Sequence, residues 1–125
     1  MKVLIVGASR GLGLEFVRQY RADGASVSAT ARDDAGLQRL RDLGATALRL
    51  DVTDAASAAG LAWAIDGVAL EIAIVNAGVY GPKSDTLQAP SAGDFDHVMH
   101  TNVLGPMRVL PQLAEAFAPG ACVAV

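Results

Sequence analysis

The chain has few of the features that mark secreted, nucleic-acid-binding or membrane proteins. Its one cysteine, Cys122, cannot form a disulfide within the chain, whereas small secreted domains depend on disulfides. Ten basic residues are outnumbered by thirteen acidic ones, for a net charge of −3, so no nucleic-acid-binding surface is expected. No apolar run approaches the roughly 20 residues of a transmembrane helix, and no signal peptide is expected. We therefore expect a cytoplasmic protein that binds neither nucleic acid nor membrane.

Aromatic and charged residues are also scarce, at 5% and 18%, while 52% of the chain is hydrophobic and 13 residues are glycine. Such aliphatic-rich composition is typical of a parallel sheet that is buried on both faces. Strand-like apolar runs alternate with amphipathic stretches along the sequence, which favours βαβ units. These features predict an α/β fold, a doubly wound parallel sheet of the Rossmann type, as a single domain over residues 1–125.

The order of the predicted elements follows this alternation. Strands are predicted at residues 3–6, 25–31, 46–50, 71–75 and 121–125. Helices are predicted from the first glycines to residue 23, after residues 33–34, after residue 54, and from 95 to 117. The last helix is expected to bend near Gly105-Pro106 and Pro111 and to end at Pro119-Gly120. Because the final strand is apolar throughout, we expect the sequence to be the first half of a longer protein.

A glycine-rich turn joins the first strand to the first helix. Gly7, Gly11 and Gly13 allow a sharp bend and a close approach of the backbone to a ligand. The helix that follows offers free N–H groups and the positive end of its dipole to phosphate oxygens. The alternative is that these glycines serve only the packing of strand on helix. The strand–turn–helix context favours phosphate binding.

Three further groups of polar or small residues follow predicted strands. They are Arg32, Asp51-Val52 and Asn76-Ala77-Gly78. Ligands of open parallel sheets bind beyond the carboxyl ends of the strands. We therefore expect all four strand ends to border one crevice.

These motifs resemble those of the short-chain dehydrogenase/reductase family. Val6–Gly13 matches the family pattern Thr-Gly-x-x-x-Gly-x-Gly except at Val6, and Val75–Gly78 matches Asn-Asn-Ala-Gly except at Val75. Asn102, in Thr-Asn-Val-Leu-Gly, is similar to the helix asparagine of the family's catalytic tetrad. The resemblance covers essentially the whole chain, and the loops are similar to those of small carbonyl reductases and C-factor-like proteins.

The resemblance implies a dinucleotide-binding domain with named site residues. It implies a catalytic role for Asn102; no metal site is predicted from the residues. It implies cofactor contacts from Gly7, Ser9, Arg10, Gly11, Leu12, Gly13, Arg32, Asp51, Val52, Asn76, Ala77 and Gly78. Simpler structural roles are open beside these: Asp51 as a helix cap, Asn76 as a link between strands, and Asn102 as the cause of a helix kink.

The choice of cofactor depends on the end of the second strand. An acidic residue there binds the ribose 2′-OH of NAD, whereas arginine accommodates the 2′-phosphate of NADP. Arg32 follows this strand, and Arg10 lies in the glycine loop. Asp33 could contact NAD, but we interpret it as the cap of the second helix. We therefore predict NADP, with NAD the less favoured alternative.

The residues that would transfer protons are missing. The family uses a serine and a Tyr-x-x-x-Lys pair with a carbonyl or alcohol substrate, but Tyr20 and Tyr80 are followed four residues later by Gly24 and Ser84. We expect these groups beyond residue 125, so the residues given are expected to be inactive alone. The alternative is a nucleotide-binding regulatory module without catalysis.

The long helix carries His97, His100 and Arg108. The two histidines are not accompanied by further ligands at zinc-site spacing, so surface or subunit-interface roles are favoured. Related proteins commonly pair through this helix, which makes a homo-oligomer possible; a monomer is equally compatible with the sequence.

Overall fold

A computed structural model describes all residues, Met1–Val125. It contains one five-stranded sheet in the order β3-β2-β1-β4-β5, and every neighbouring pair is parallel. The strands are β1 (Lys2–Val6), β2 (Ser26–Ala31), β3 (Thr46–Arg49), β4 (Leu70–Val75) and β5 (Phe117–Ala124). The predicted doubly wound parallel sheet of the Rossmann type is confirmed.

Helices cover both faces of the sheet. They are α1 (Gly11–Ala22), α2 (Asp34–Asp42), α3 (Ala55–Ala59), α4 (Leu61–Ala64), α5 (Ala92–Met99) and α6 (Gly105–Leu113). A π-helical segment, His100–Leu104, joins α5 to α6, and a 3-10 turn, Ala114–Ala116, follows α6.

Alternate residues of β1 point into two separate cores, as the pleat of a strand requires. Val3 and Ile5 belong to a core that includes Val17 of α1 and Leu40 of α2. Leu4, on the opposite face, belongs to a core formed with α3, α4 and α6. The side chains of these β1 residues are at most 1% exposed. The central strand therefore fixes the position of the glycine turn that follows it.

Two helix predictions are corrected by the structure. The third predicted helix is divided at Gly60 into α3 and α4, consistent with the low helix propensity of glycine. The long segment begins at Ala92 rather than Phe95, because Ser91 Oγ accepts a hydrogen bond from the Asp94 N–H at 3.1 Å and caps the helix.

The predicted end of the long helix is also wrong. Pro119-Gly120 lies inside β5, which begins at Phe117 rather than Ala121. β5 is an edge strand, where proline is tolerated. The register with β4 shifts between the pairs Leu70–Phe117 and Ile72–Cys122, so the extra residues, Pro119-Gly120 among them, are accommodated in an irregularity of the pairing.

No helix in the structure is both long enough and apolar enough to cross a membrane.

Candidate functional site

A cleft of about 660 Å³, counting its solvent-open part, lies at the carboxyl ends of the strands. This is the place expected of a ligand site in an open parallel sheet. Residues from the ends of β1 to β4 line it, together with one from the π segment: Gly7, Ser9, Arg10, Thr30, Ala31, Arg32, Leu50, Asp51, Val52, Thr53, Asn76, Ala77, Gly78, Val79 and Thr101. The ends of all four strands therefore border one cleft, as expected.

The three motif glycines serve different purposes. A Cβ on Gly7 would lie 2.6 Å from the Ala77 backbone, and φ at Gly7 is +83°. A Cβ on Gly13 would collide with the Gly7 carbonyl and with Asn76. Gly11, with φ of +58°, has open space around its Cβ position. Gly7 and Gly13 thus do have the packing role that was the alternative, while the backbone at Gly11 stays accessible.

Residues of neighbouring strands hold the start of the glycine loop. Thr30 Oγ1 accepts a hydrogen bond from the Gly7 N–H at 2.9 Å, and the Thr30 carbonyl accepts one from Ala8 at 2.8 Å. The Asn76 side-chain amide donates to the Gly7 carbonyl at 3.0 Å. Thr30 is 1% exposed, and the sequence analysis missed it. Asn76 therefore links β4 to the glycine loop, which is the structural role left open for it beside cofactor binding.

The amino end of α1 differs from those of α2 and α5. Arg10 occupies its N-cap position without a side-chain cap hydrogen bond, and its first turn has no acidic residue. In α2 and α5 the cap is made by Asp33 and Ser91. The N–H groups at the start of α1 therefore have no side-chain acceptor, the arrangement that suits an anion.

The carboxyl end of β2 carries three charged residues with different contacts. Asp33 Oδ1 accepts a hydrogen bond from the Gly36 N–H at 2.7 Å, which confirms Asp33 as the cap of α2. The Asp34 carboxylate forms an ion pair with Arg49. The guanidinium groups of Arg10 and Arg32, both residues of the cleft wall, make no hydrogen bond or ion pair within the chain.

Asp51 is fixed by its neighbour Thr53. Its Oδ1 accepts hydrogen bonds from the Thr53 hydroxyl at 2.6 Å and from the Thr53 N–H at 2.9 Å. These bonds, with a smaller contribution from the positive charge of Arg32, hold the pKa of the Asp51 carboxyl below its usual range. Asp54, not Asp51, caps α3, accepting a hydrogen bond from the Ala56 N–H at 3.0 Å.

The π segment brings Asn102 against the loop after β4. Its Oδ1 accepts from the Val79 N–H at 2.8 Å, and its Nδ2 donates to the Val79 carbonyl at 2.7 Å. π-helical turns occur frequently at functional sites. Asn102 thus lies in an irregular part of the long helix, in line with the structural role left open for it beside a catalytic one. The Asn102 side chain also fixes Val79, a residue of the cleft wall that the sequence analysis missed.

Some predicted site residues lie outside the cleft wall. Gly11, Leu12 and Gly13 belong to the first turn of α1, and Leu12 is 70% exposed. Asn102 stands behind Val79 and is not itself a wall residue.

The polar residues of the long helix differ from one another in position. Arg108 points inward, and its Nη1 donates to the Thr53 carbonyl at 2.9 Å. His97 and His100 are exposed, and no group of three or more His, Cys, Asp or Glu side chains that could hold a metal ion is present.

Comparison with known proteins identifies the family. The model of the short chain dehydrogenase family matches residues 1–124. The chain belongs to this family. It is 34% identical over 124 residues to the cyclic-di-GMP-binding biofilm dispersal mediator protein of Escherichia coli, with 94% of this chain and 49% of that protein covered. It is 33% identical to the borneol dehydrogenase of Lavandula x intermedia, with 93% and 46% covered.

Solved structures agree with this assignment. A Burkholderia multivorans protein, assigned to the short-chain dehydrogenase/reductases and solved with bound NADP, is 33% identical to this chain. The two superpose with a TM-score of 0.87 over 98% of this chain and 56% of that protein. The chain spans about half the length of the curated relatives it matches.

Proposed function

We propose that this chain is the cofactor-binding part of an NADP-dependent oxidoreductase that transfers a hydride between NADPH and a carbonyl or alcohol substrate. The observation that carries this proposal is the cleft at the strand ends, where the uncapped start of α1 lies beside Arg10 and Arg32. The family membership and the NADP-bound relative support it.

The residues around the cleft fit a dinucleotide. In our proposal the backbone at Gly11, Leu12 and Gly13 receives the pyrophosphate at the start of α1. Gly7, Ser9 and Ala77-Gly78 supply close backbone approach. Asp51 and Val52, at the end of β3, contact the adenine end; Asp51 is ionised and already oriented by Thr53. Asn76 keeps β4 and the glycine loop in register through the Gly7 carbonyl.

The preference for NADP over NAD rests on charge. Two guanidinium groups without partners in the chain can neutralise a 2′-phosphate dianion. Asp33, the residue that could hydrogen-bond the 2′-OH of NAD, is engaged by the Gly36 N–H. NAD lacks the phosphate and would leave both arginines unpaired.

Substitution of Arg32 tests this preference. We expect Arg32→Ala to weaken NADPH binding roughly tenfold, the loss of a charge-assisted hydrogen bond of about 1.5 kcal/mol, and to leave NADH binding unchanged. Fluorescence titration with both nucleotides measures this. Arg18→Ala is the matched control, because Arg18 pairs with Glu15 on α1 and is not a residue of the cleft. Unchanged NADPH affinity in Arg32→Ala would contradict the assignment of NADP.

The chemistry needs groups beyond those of the cleft wall. When bound, NADPH supplies the hydride from C4 of its nicotinamide. In this chain Asn102 holds Val79 through both of its polar side-chain atoms, and we propose that it serves the reaction by keeping this wall in place. The serine and the Tyr-x-x-x-Lys pair are proposed to lie beyond residue 125, so that residues 1–125 alone bind cofactor but do not turn over substrate.

A second candidate is a nucleotide-binding regulatory module without catalysis. The E. coli relative named for cyclic-di-GMP binding favours it. Fluorescence titration with cyclic-di-GMP, in the absence and in the presence of NADPH, decides between the two. Cyclic-di-GMP that binds more tightly than NADPH and competes with it would support the regulatory module.

We further propose a cytoplasmic protein that forms a homo-oligomer through the long helix. The exposed free thiol of Cys122 suits a reducing compartment. An apolar stripe on α5, the π segment and α6 is between 39% and 64% exposed and consists of Phe95, Met99, Val103 and Met107. Analytical ultracentrifugation of the wild type and of Val103→Asp tests the oligomer. We expect the wild type to sediment as an oligomer and the variant as a monomer, because the new carboxylate would be buried in the interface. A monomeric wild type would contradict this proposal.

A further inference from the structure

We infer that Arg49 is a specificity-determining residue for the 2′-phosphate, although it does not belong to the cleft wall. This inference rests on the proposed function. Its motivation is the arrangement of charge at the end of β2, where Arg32 is followed immediately by two aspartates. A 2′-phosphate bound by Arg32 would be repelled by any free carboxylate beside it.

Arg49 is placed to act on this segment by the register of the sheet. It is the last residue of β3 and pairs with Ala31, the last residue of β2. The Leu50 N–H also donates to the Ala31 carbonyl at 3.1 Å. The backbone of Arg49 therefore lies beside the residue that precedes Arg32.

The side chain of Arg49 bridges two groups of that segment. Its Nη1 donates to the carbonyl of Arg32 at 2.7 Å, and its Nη2 pairs with the Asp34 carboxylate. One guanidinium group thus restrains the main chain of Arg32 and neutralises Asp34. With Asp33 engaged by the Gly36 N–H, the Arg32 side chain is the one charged group of the three that is left without a partner in the chain.

The consequence is a division of roles among the arginines. Arg10 and Arg32 contact the phosphate in the proposed function, while Arg49 is a positioning residue that acts through Arg32 and Asp34. The pair is exposed, with 56% of the Arg49 side chain and 94% of the Asp34 side chain accessible. Its effect is therefore screened, and we expect a change of a few-fold rather than orders of magnitude.

The test is the ratio of the dissociation constants of NADH and NADPH, measured by titration with the purified protein. We expect Arg49→Met to lower this preference for NADPH about fivefold, because the negative charge of Asp34, two residues from Arg32, is then no longer neutralised by Arg49. Asp34→Asn in the Arg49→Met background is expected to restore most of the preference. A purely structural role for Arg49 would weaken both nucleotides equally and would not be rescued by Asp34→Asn.

Matched controls come from the pair Arg18 and Glu15 on α1, which carries the same charges outside the cleft. Arg18→Met and Glu15→Gln are expected to leave the ratio unchanged, and far-UV circular dichroism checks the folding of every variant. An unchanged ratio in Arg49→Met, with wild-type NADPH preference intact, would overturn this inference alone. A wild-type protein that binds neither nucleotide, or prefers NADH, would overturn the proposed function and this inference with it.

Discussion

The two ends of the cleft are built in different ways. At one end, which we call the charged end, Arg10 and Arg32 carry guanidinium groups without partners in the chain. At the other, the amide end, the polar atoms of Asn76 and Asn102 hydrogen-bond the backbone of Gly7 and Val79. The charged end therefore has free groups to offer a ligand, while the amide end uses its side chains to fix the shape of the wall.

This difference predicts that the two ends control different properties of cofactor binding. Substitutions at the charged end should change which nucleotide binds, because they alter charge that only NADP uses. Substitutions at the amide end should affect NADP and NAD alike, because the two cofactors differ only in the 2′-phosphate. A substitution at the junction of the two ends should disturb the fold itself.

The largest effect is expected at that junction, where Gly7, in the loop that carries Arg10, packs against Ala77, which follows Asn76. Gly7→Ala forces a side chain into a backbone with φ of +83° and places its Cβ 2.6 Å from Ala77. We expect a loss of about 3 kcal/mol in the free energy of unfolding, measured by urea denaturation. The control is Gly24→Ala, where φ is +84° but no atom lies within 4 Å; it should cost about 1 kcal/mol. Equal losses would show that close packing at Gly7 is unimportant.

A smaller effect is expected at the amide end. Asn102→Ala removes both hydrogen bonds to Val79, which we expect to lower the free energy of unfolding by about 1 kcal/mol. We also expect it to weaken NADPH and NADH to the same extent, in contrast to Arg32→Ala. Calorimetric titration with each nucleotide measures this. A selective loss of NADPH binding would mean that the two ends are not independent.

The smallest effect concerns Asp51. Thr53→Val removes the hydroxyl whose hydrogen bond does most to lower the pKa of the Asp51 carboxyl from its ordinary 3.8. We expect this pKa to rise toward 3.8, as measured by ¹³C NMR titration. A carboxyl group whose pKa is lower in the folded than in the unfolded state stabilises the protein above about pH 4. This stabilisation is lost as the pH falls through the folded-state pKa. In an acid titration, the unfolding midpoint of Thr53→Val should therefore lie at a slightly higher pH than that of the wild type.

Thr46→Val is the control for this measurement, because Thr46 is exposed at the start of β3 and makes no side-chain hydrogen bond. If Thr53→Val and Thr46→Val leave the pKa of Asp51 equally unchanged, the Thr53 hydroxyl does not control that carboxyl.

Sequence reasoning identified what local pattern determines. The apolar run before Gly7 and the glycines after it predicted β1, the turn and α1, and Asp33 was correctly interpreted as a helix cap. These features depend on residues within a few positions of one another. The alternation of such units was enough to predict the parallel sheet.

Contacts between distant residues were beyond that reasoning. Thr30 bonds to Gly7 across 23 positions, and Asn102 bonds to Val79 across the same separation. Pro119-Gly120 was predicted to end a helix because both residues disfavour helix locally, but pairing with β4 at the sheet edge decided the conformation. Propensity gives way where tertiary pairing supplies the competing contacts.

The comparison of the two ends is tested most directly by ¹⁵N NMR spectra of the protein with NADPH and with NADH. We predict that both nucleotides shift the amide signals of Gly78 and Val79 alike, and that the spectra of the two complexes differ at Arg10, Arg32 and Asp34. Differences spread evenly over both ends, or spectra unchanged by either nucleotide, would contradict the account.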